Sequence, residues 1–111
     1  MSKRDNSFLI QDMLESATKI LDYTSGLSFQ QFEIDNKTID AVIRNFEIIG
    51  EASNRIDGDF KVHNSQIEWA KMRGFRNRIV HDYFGIDLEI VWSIVQDDIE
   101  ELIYQLKELH K

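Results

Sequence analysis

The sequence has no cysteine, no proline and only five glycines among 111 residues. Without cysteine there is no disulfide, no thiolate metal site and no cysteine nucleophile, and such usage fits a reducing compartment. Without proline, helices can run long, and so few glycines make an all-β fold a poor match. No apolar run approaches about 18 residues, so a transmembrane helix is not expected. The opening residues, Met1-Ser2-Lys3-Arg4-Asp5-Asn6, lead into an amphipathic stretch rather than a secretion-signal core. A soluble cytoplasmic protein is the expectation. What is present is globular in character, with 42% hydrophobic and 30% charged residues. The length suits a single domain over residues 1–111.

Charge is unevenly spread. The chain carries 13 basic and 20 acidic residues, a net charge of −7, which argues against non-specific binding of nucleic acid. From Trp69 to His81, however, the charged residues are Lys71, Arg73, Arg76 and Arg78, with no acid among them. From Asp82 to Glu101 the acids are Asp82, Asp87, Glu89, Asp97, Asp98, Glu100 and Glu101, with no Lys or Arg. One cationic segment on an acidic chain is the place to look for anion binding.

Apolar spacing is helical almost throughout. The first helix is expected over about residues 4–25, ending near Gly26, followed by a connection from Ser28 to Ile34 with room for one turn of helix. Asp35 or Asn36 can cap a second helix whose stripe runs Ile39, Val42, Ile43, Phe46, Ile49, Ala52, Ser53 and Ile56. Gly50 inside it points to close approach of a neighbouring helix. Asp57-Gly58-Asp59 opens a loop to about Asn64 or Ser65. A third helix is expected over about 65–82 with a kink near Trp69–Lys71, and a fourth from about Leu88 to Leu109, capped by Asp87. The expected architecture is all-α, an up-and-down bundle of four main helices.

On a continuous third helix, Arg73, Asn77 and His81 would share one face within about 80°, while Met72, Phe75 and Ile79 face the core. Arg76 and Tyr83, seven apart, would nearly superpose. These side chains suit attack on a phosphodiester. His81, with an ordinary pKa of about 6.5, can move a proton near neutrality. Arg73 and Arg76 match phosphate oxygens in charge and geometry. Asn77 can orient His81 or hydrogen-bond a ribose or phosphate, and Tyr83 can stack on a base. The plainer reading is a solvated basic face, and on the residues alone both stand. His63 and His110 read as surface residues, Trp69 and Trp92 as core or interface aromatics. No His/Asp/Glu cluster has metal-ligand spacing, and there is no glycine-rich phosphate loop.

The run Arg76-Asn77-Arg78-Ile79-Val80-His81-Asp82-Tyr83 is Arg, four residues, His, one residue, Tyr. It resembles the signature of HEPN-domain proteins of the HepT-like toxin group. Ile48-Ile49-Gly50-Glu51-Ala52, Trp69 and Phe84-Gly85-Ile86-Asp87-Leu88 extend the resemblance over essentially the whole chain. Where family members often carry Pro before the Trp, this chain has Glu68. The resemblance implies an all-α homodimer whose motif helices meet in a cleft. It further implies a metal-independent endoribonuclease or RNA-binding protein without a cofactor, paired with a minimal nucleotidyltransferase antitoxin. Arg76 and His81 would then be the catalytic residues, and Arg73, Asn77 and Arg78 would bind RNA or phosphate. Tyr83 would be the residue to which the antitoxin transfers AMP. The rival expectation is a non-catalytic module that holds RNA or nucleotide, or docks on a partner.

Overall fold

Helix starts in this chain are set by short polar side chains that satisfy the first free backbone N–H groups. The computed structural model describes residues 5–81 and 85–110, with the side chains of His81 and His110 outside that description. Asp5 accepts from the Ser7 amide at 2.8 Å and opens α1, Asn6–Thr24. Its buried face is Leu9, Ile10, Met13, Ala17 and Ile20. The chain turns at Gly26, where φ is +79°. Ser28 and Gln31 form a reciprocal capping box on α2, Phe29–Glu33, which seats Phe32 in the core. Asp35 caps α3, Asn36–Arg55, accepting from the Thr38 amide at 3.1 Å and from its hydroxyl at 2.7 Å. The Asp57 amide donates to Asn6 Oδ1 at 3.3 Å, which brings the end of α3 beside the start of α1 and makes the pair antiparallel.

The segment from Asp57 to Asn64, expected as loop, contains α4, Gly58–His63. Its Phe60 meets Trp69 edge-on, with ring centres 6.3 Å apart, and the Trp69 indole N–H donates to the Asn64 carbonyl at 3.1 Å. Trp69 is buried, and Trp92 is half-buried against Phe32 with ring centres 5.1 Å apart. His63 is exposed.

The third helix departs most from expectation. Instead of one helix over 65–82, the chain forms α5, Trp69–Arg73, and α6, Phe75–Ile79, on either side of Gly74. Gly74 has φ −85° and ψ −2°, a flattened turn at a residue with weak helix preference. The break therefore falls later than the kink expected near Trp69–Lys71. Val80 is extended, with φ −96° and ψ 123°. Val80–His81 forms strand β1, paired antiparallel with β2, Gly85–Ile86, in the register Val80↔Ile86 and His81↔Gly85. Two non-local features favour this ending. The Asp87 amide donates to the Ile79 carbonyl at 2.8 Å, and Gly85 adopts a left-handed φ of +78°. His81 thus lies on a strand and not on a helical stripe with Arg73 and Asn77. The expected superposition of Tyr83 on Arg76 required helix through residue 83, and Tyr83 itself lies outside the described residues.

Asp87 caps α7, Leu88–Asp97, by accepting from the Ile90 amide at 3.1 Å. The single helix expected to Leu109 is instead α7 followed by α8, Ile99–His110. Between them Asp98 sits at φ −115° and ψ −30°, off ideal helix geometry, although the Asp98 amide still bonds the Ile94 carbonyl at 2.9 Å. The Asp98 carboxylate reaches out to Lys71 and Arg78.

Helices α1 and α3 pack on each other, α8 lies along α1, and α5 and α6 rest on α3. Phe46 of α3 meets Phe75 of α6 edge-on, with ring centres 5.2 Å apart and both rings buried. Met72, Phe75 and Ile79 enter the core as expected and fix the cationic segment against α3. The architecture is all-α apart from the two-residue strands. Among the described residues, no helix is long and apolar enough to cross a membrane.

Candidate active site

The four cations of the central segment divide into two pairs. Lys71 and Arg78 turn toward the junction of α7 and α8. Lys71 Nζ lies 3.0 Å from Asp98 Oδ1 and 3.5 Å from Glu68, and Arg78 Nη1 lies 3.7 Å from Asp98 Oδ2. The hydrogen bond from Lys71 to Asp98 holds the ammonium pKa above its ordinary value, against the opposing effect of desolvation. Arg78, expected among the phosphate-binding residues, therefore braces α6 to the last two helices.

Arg73 and Arg76 face the other way. Both are exposed, and they share a cavity of about 150 Å³ with Phe46, Glu47, Gly50, Glu51 and Asn54 of α3. The α3 residues Glu47, Gly50, Glu51 and Asn54 lie at i, i+3, i+4 and i+7, one face of a helix. Although carboxylates line the opposite wall, neither arginine makes an ion pair with them within 4.0 Å among the described residues. Lys61 of α4 adds to this positive side. Its pKa is held below the ordinary value, first by burial and then by the charge of Arg73, while its ammonium lies 6.0 Å from the centre of the Trp69 ring. Asn77 is exposed on α6.

His81 follows α6 by two residues, and its backbone is fixed opposite Gly85. The structure thus places Arg76 and the His81 backbone on consecutive elements, joined through the buried Ile79. The side chain of His81 and all of Tyr83 lie outside the described residues. Among the described residues, no group of three or more His, Asp or Glu side chains is placed to hold a metal ion.

Sequence reasoning missed Lys61, Glu47, Glu51 and Asn54 as members of this surface. The spacing of the α3 residues was a readable signal of a shared polar face. Which element that face met was set by tertiary packing. Two exposed guanidinium groups at a cavity mouth, without an ion pair among the described residues, can hold a phosphodiester through charge-assisted hydrogen bonds.

The chain is also similar in sequence to known proteins. The profile of a family described as "Ribonuclease HepT-like" matches residues 13–109. "Putative RNase MJ1380" of Methanocaldococcus jannaschii is 44% identical over 103 residues, covering 92% of this chain and 94% of that one. "Probable ribonuclease HepT" of Thermococcus cleftensis is 38% identical over 109 residues, covering 98% and 99%. No solved structure matches. With its Arg76-x4-His81 spacing, its helical architecture and a match over most of its length, the chain belongs to the HepT-like ribonuclease family.

Proposed function

We propose that the protein is a metal-independent endoribonuclease, the toxin of a toxin–antitoxin pair acting in the cytoplasm. The observation that carries this reading is the pair of exposed arginines, Arg73 and Arg76, without a carboxylate partner among the described residues, immediately before the strand that bears His81. Family membership supplies the reaction class. The 2′-hydroxyl of RNA attacks the adjacent phosphorus, the bond from phosphorus to the 5′-oxygen breaks, and a 2′,3′-cyclic phosphate and a 5′-hydroxyl result. One imidazole takes the 2′-hydroxyl proton, and a second, protonated imidazole delivers a proton to the leaving oxygen. Arg76 stabilises the charge that builds on the phosphate, with Arg73 and Asn77 holding the strand. Each chain brings one motif His, so a two-fold homodimer supplies both in one cleft.

A minimal nucleotidyltransferase antitoxin silences the enzyme in this account. The Tyr83 hydroxyl attacks the α-phosphate of ATP, pyrophosphate leaves, and the tyrosine carries AMP. The added phosphate charge and bulk repel and exclude RNA. Mass spectrometry of the chain co-expressed with that partner is expected to find AMP on Tyr83. Its appearance on another residue would refute this step.

The deciding experiment incubates the purified protein with labelled RNA, with and without EDTA, beside His81→Ala and Arg76→Ala. Fragments ending in cyclic phosphate, insensitive to EDTA and absent from His81→Ala, are expected. Cleavage that persists in His81→Ala, or stops with EDTA, refutes the mechanism. RNA retained in a complex and never cut would instead identify a binding module.

A further inference from the structure

We infer that the cavity between α3 and the α5–α6 segment reads the base beside the cut phosphate, and that the base it takes is guanine. The inference rests on the RNA-cutting reading above and deepens it. Its walls carry opposite chemistry: Arg73 and Arg76 on one side, Glu47, Glu51 and Asn54 on the other. Both carboxylates and both guanidinium groups are exposed, and none of them pairs with another within 4.0 Å. Both walls are thus accessible to a ligand. Guanidinium groups suit phosphate oxygens, and carboxylates accept hydrogen bonds only from donors.

Single-stranded RNA presents its bases to proteins through their Watson–Crick edges. Guanine alone among the four offers two adjacent donors there, N1–H and the N2 amine, which match a carboxylate's two oxygens. Uracil offers one N–H between two carbonyls. Adenine and cytosine set an acceptor nitrogen beside their amine, where a carboxylate is repelled. The Asn54 amide can donate to the guanine O6. At about 150 Å³ the cavity is below the roughly 300 Å³ at which small-molecule pockets begin, which suits one flat ring system rather than a whole nucleotide. Gly50 is part of its lining. A Cβ at that position would lie 3.6 Å from the Met72 carbonyl oxygen.

The test has two readouts. Sequencing the fragments from a random single-stranded RNA pool is expected to show guanine enriched about 10- to 100-fold at one fixed position beside the cut. The Glu47→Gln/Glu51→Gln double variant should bring the ratio of cutting at guanine and non-guanine sites close to one. Separately, calorimetric titration with guanosine, adenosine, cytidine and uridine 3′-monophosphates should find the guanosine form bound about tenfold tighter, a difference lost in the double variant. Should that variant misfold, Gly50→Ala, whose Cβ meets only ordinary contacts, must weaken guanosine monophosphate by narrowing the cavity. Cutting without base preference, with all four nucleotides bound alike, overturns the guanine assignment and leaves the ribonuclease reading intact. Guanosine selectivity without any cutting does the reverse.

Discussion

Gly26 and Gly85 form a matched pair for testing what the small hairpin contributes. Both are left-handed, at φ +79° and +78°, and a Cβ on either would meet nothing within 4 Å. Replacing either by alanine therefore introduces backbone strain without a clash. That strain is about 1–2 kcal/mol. Alanine also restricts the unfolded chain, which returns about 0.4–1 kcal/mol. The net cost is about 1 kcal/mol at each site, equivalent to a fall in Tm of roughly 4 °C for a domain of this size. The two substitutions differ in what they sit beside. Gly26 lies in the turn between α1 and α2, whereas Gly85 is the residue paired with His81. Among the described residues the hairpin pairs two residues on each strand, and a ladder this short closes weakly. A change of about 1 kcal/mol alters its closed-to-open ratio about fivefold. Gly85→Ala is expected to lower RNA cleavage several-fold per folded molecule, while Gly26→Ala cleaves as the wild type does. Calorimetry gives the Tm values, and initial rates on a fluorogenic RNA give the activities, both well below the lower Tm. Equal activity in the two variants, at equal loss of stability, would refute a positioning role for the hairpin.

Other outcomes follow from the same geometry. Gly50→Ala should raise stability by up to about 1 kcal/mol in urea unfolding, because alanine favours helix and its Cβ finds only an ordinary 3.6 Å contact. Phe75→Ala should cost about 3–5 kcal/mol in the same assay, since the ring is fully buried against Phe46. Asp98→Asn should cost under about 1 kcal/mol, because its partners Lys71 and Arg78 are partly exposed. The folded state raises the Lys71 pKa above 10.5, so this contribution is whole below that pH and fades as pH climbs through the folded value. Melting curves of wild type and Asp98→Asn should accordingly converge at strongly alkaline pH. The Thr38 hydrogen bonds lower the Asp35 pKa below 3.8, giving stability above that pH that is lost as acid titrates the folded carboxylate. Asp35→Ala should melt earlier than wild type at neutral pH, and the gap should close in strong acid.

Local signals made much of the fold legible in the sequence. The 3.6-residue spacing and the caps at Asp35 and Asp87 located α3 and the start of α7, and Met72, Phe75 and Ile79 were correctly turned inward. The end of α6 was not legible. Phe75 to His81 carries a good helical pattern, and what ends the helix, the Asp87 amide on Ile79 and the left-handed Gly85, lies four or more residues further on. The site divided in the same way. Arg73 and Arg76 stood out by charge, but only packing shows that Arg78 turns away to Asp98 while Lys61, Glu47 and Glu51 join the other face. A wheel drawn on one helix cannot separate Arg76 from Arg78 when the distinguishing partner is on another element.

The sharpest measurement mixes wild-type chains with an excess of His81→Ala chains, allows subunits to exchange, and follows RNA cleavage against the wild-type fraction. A cleft that needs one imidazole from each of two chains makes activity fall with the square of that fraction. A linear fall would mean that each chain cuts alone, and would contradict the shared cleft.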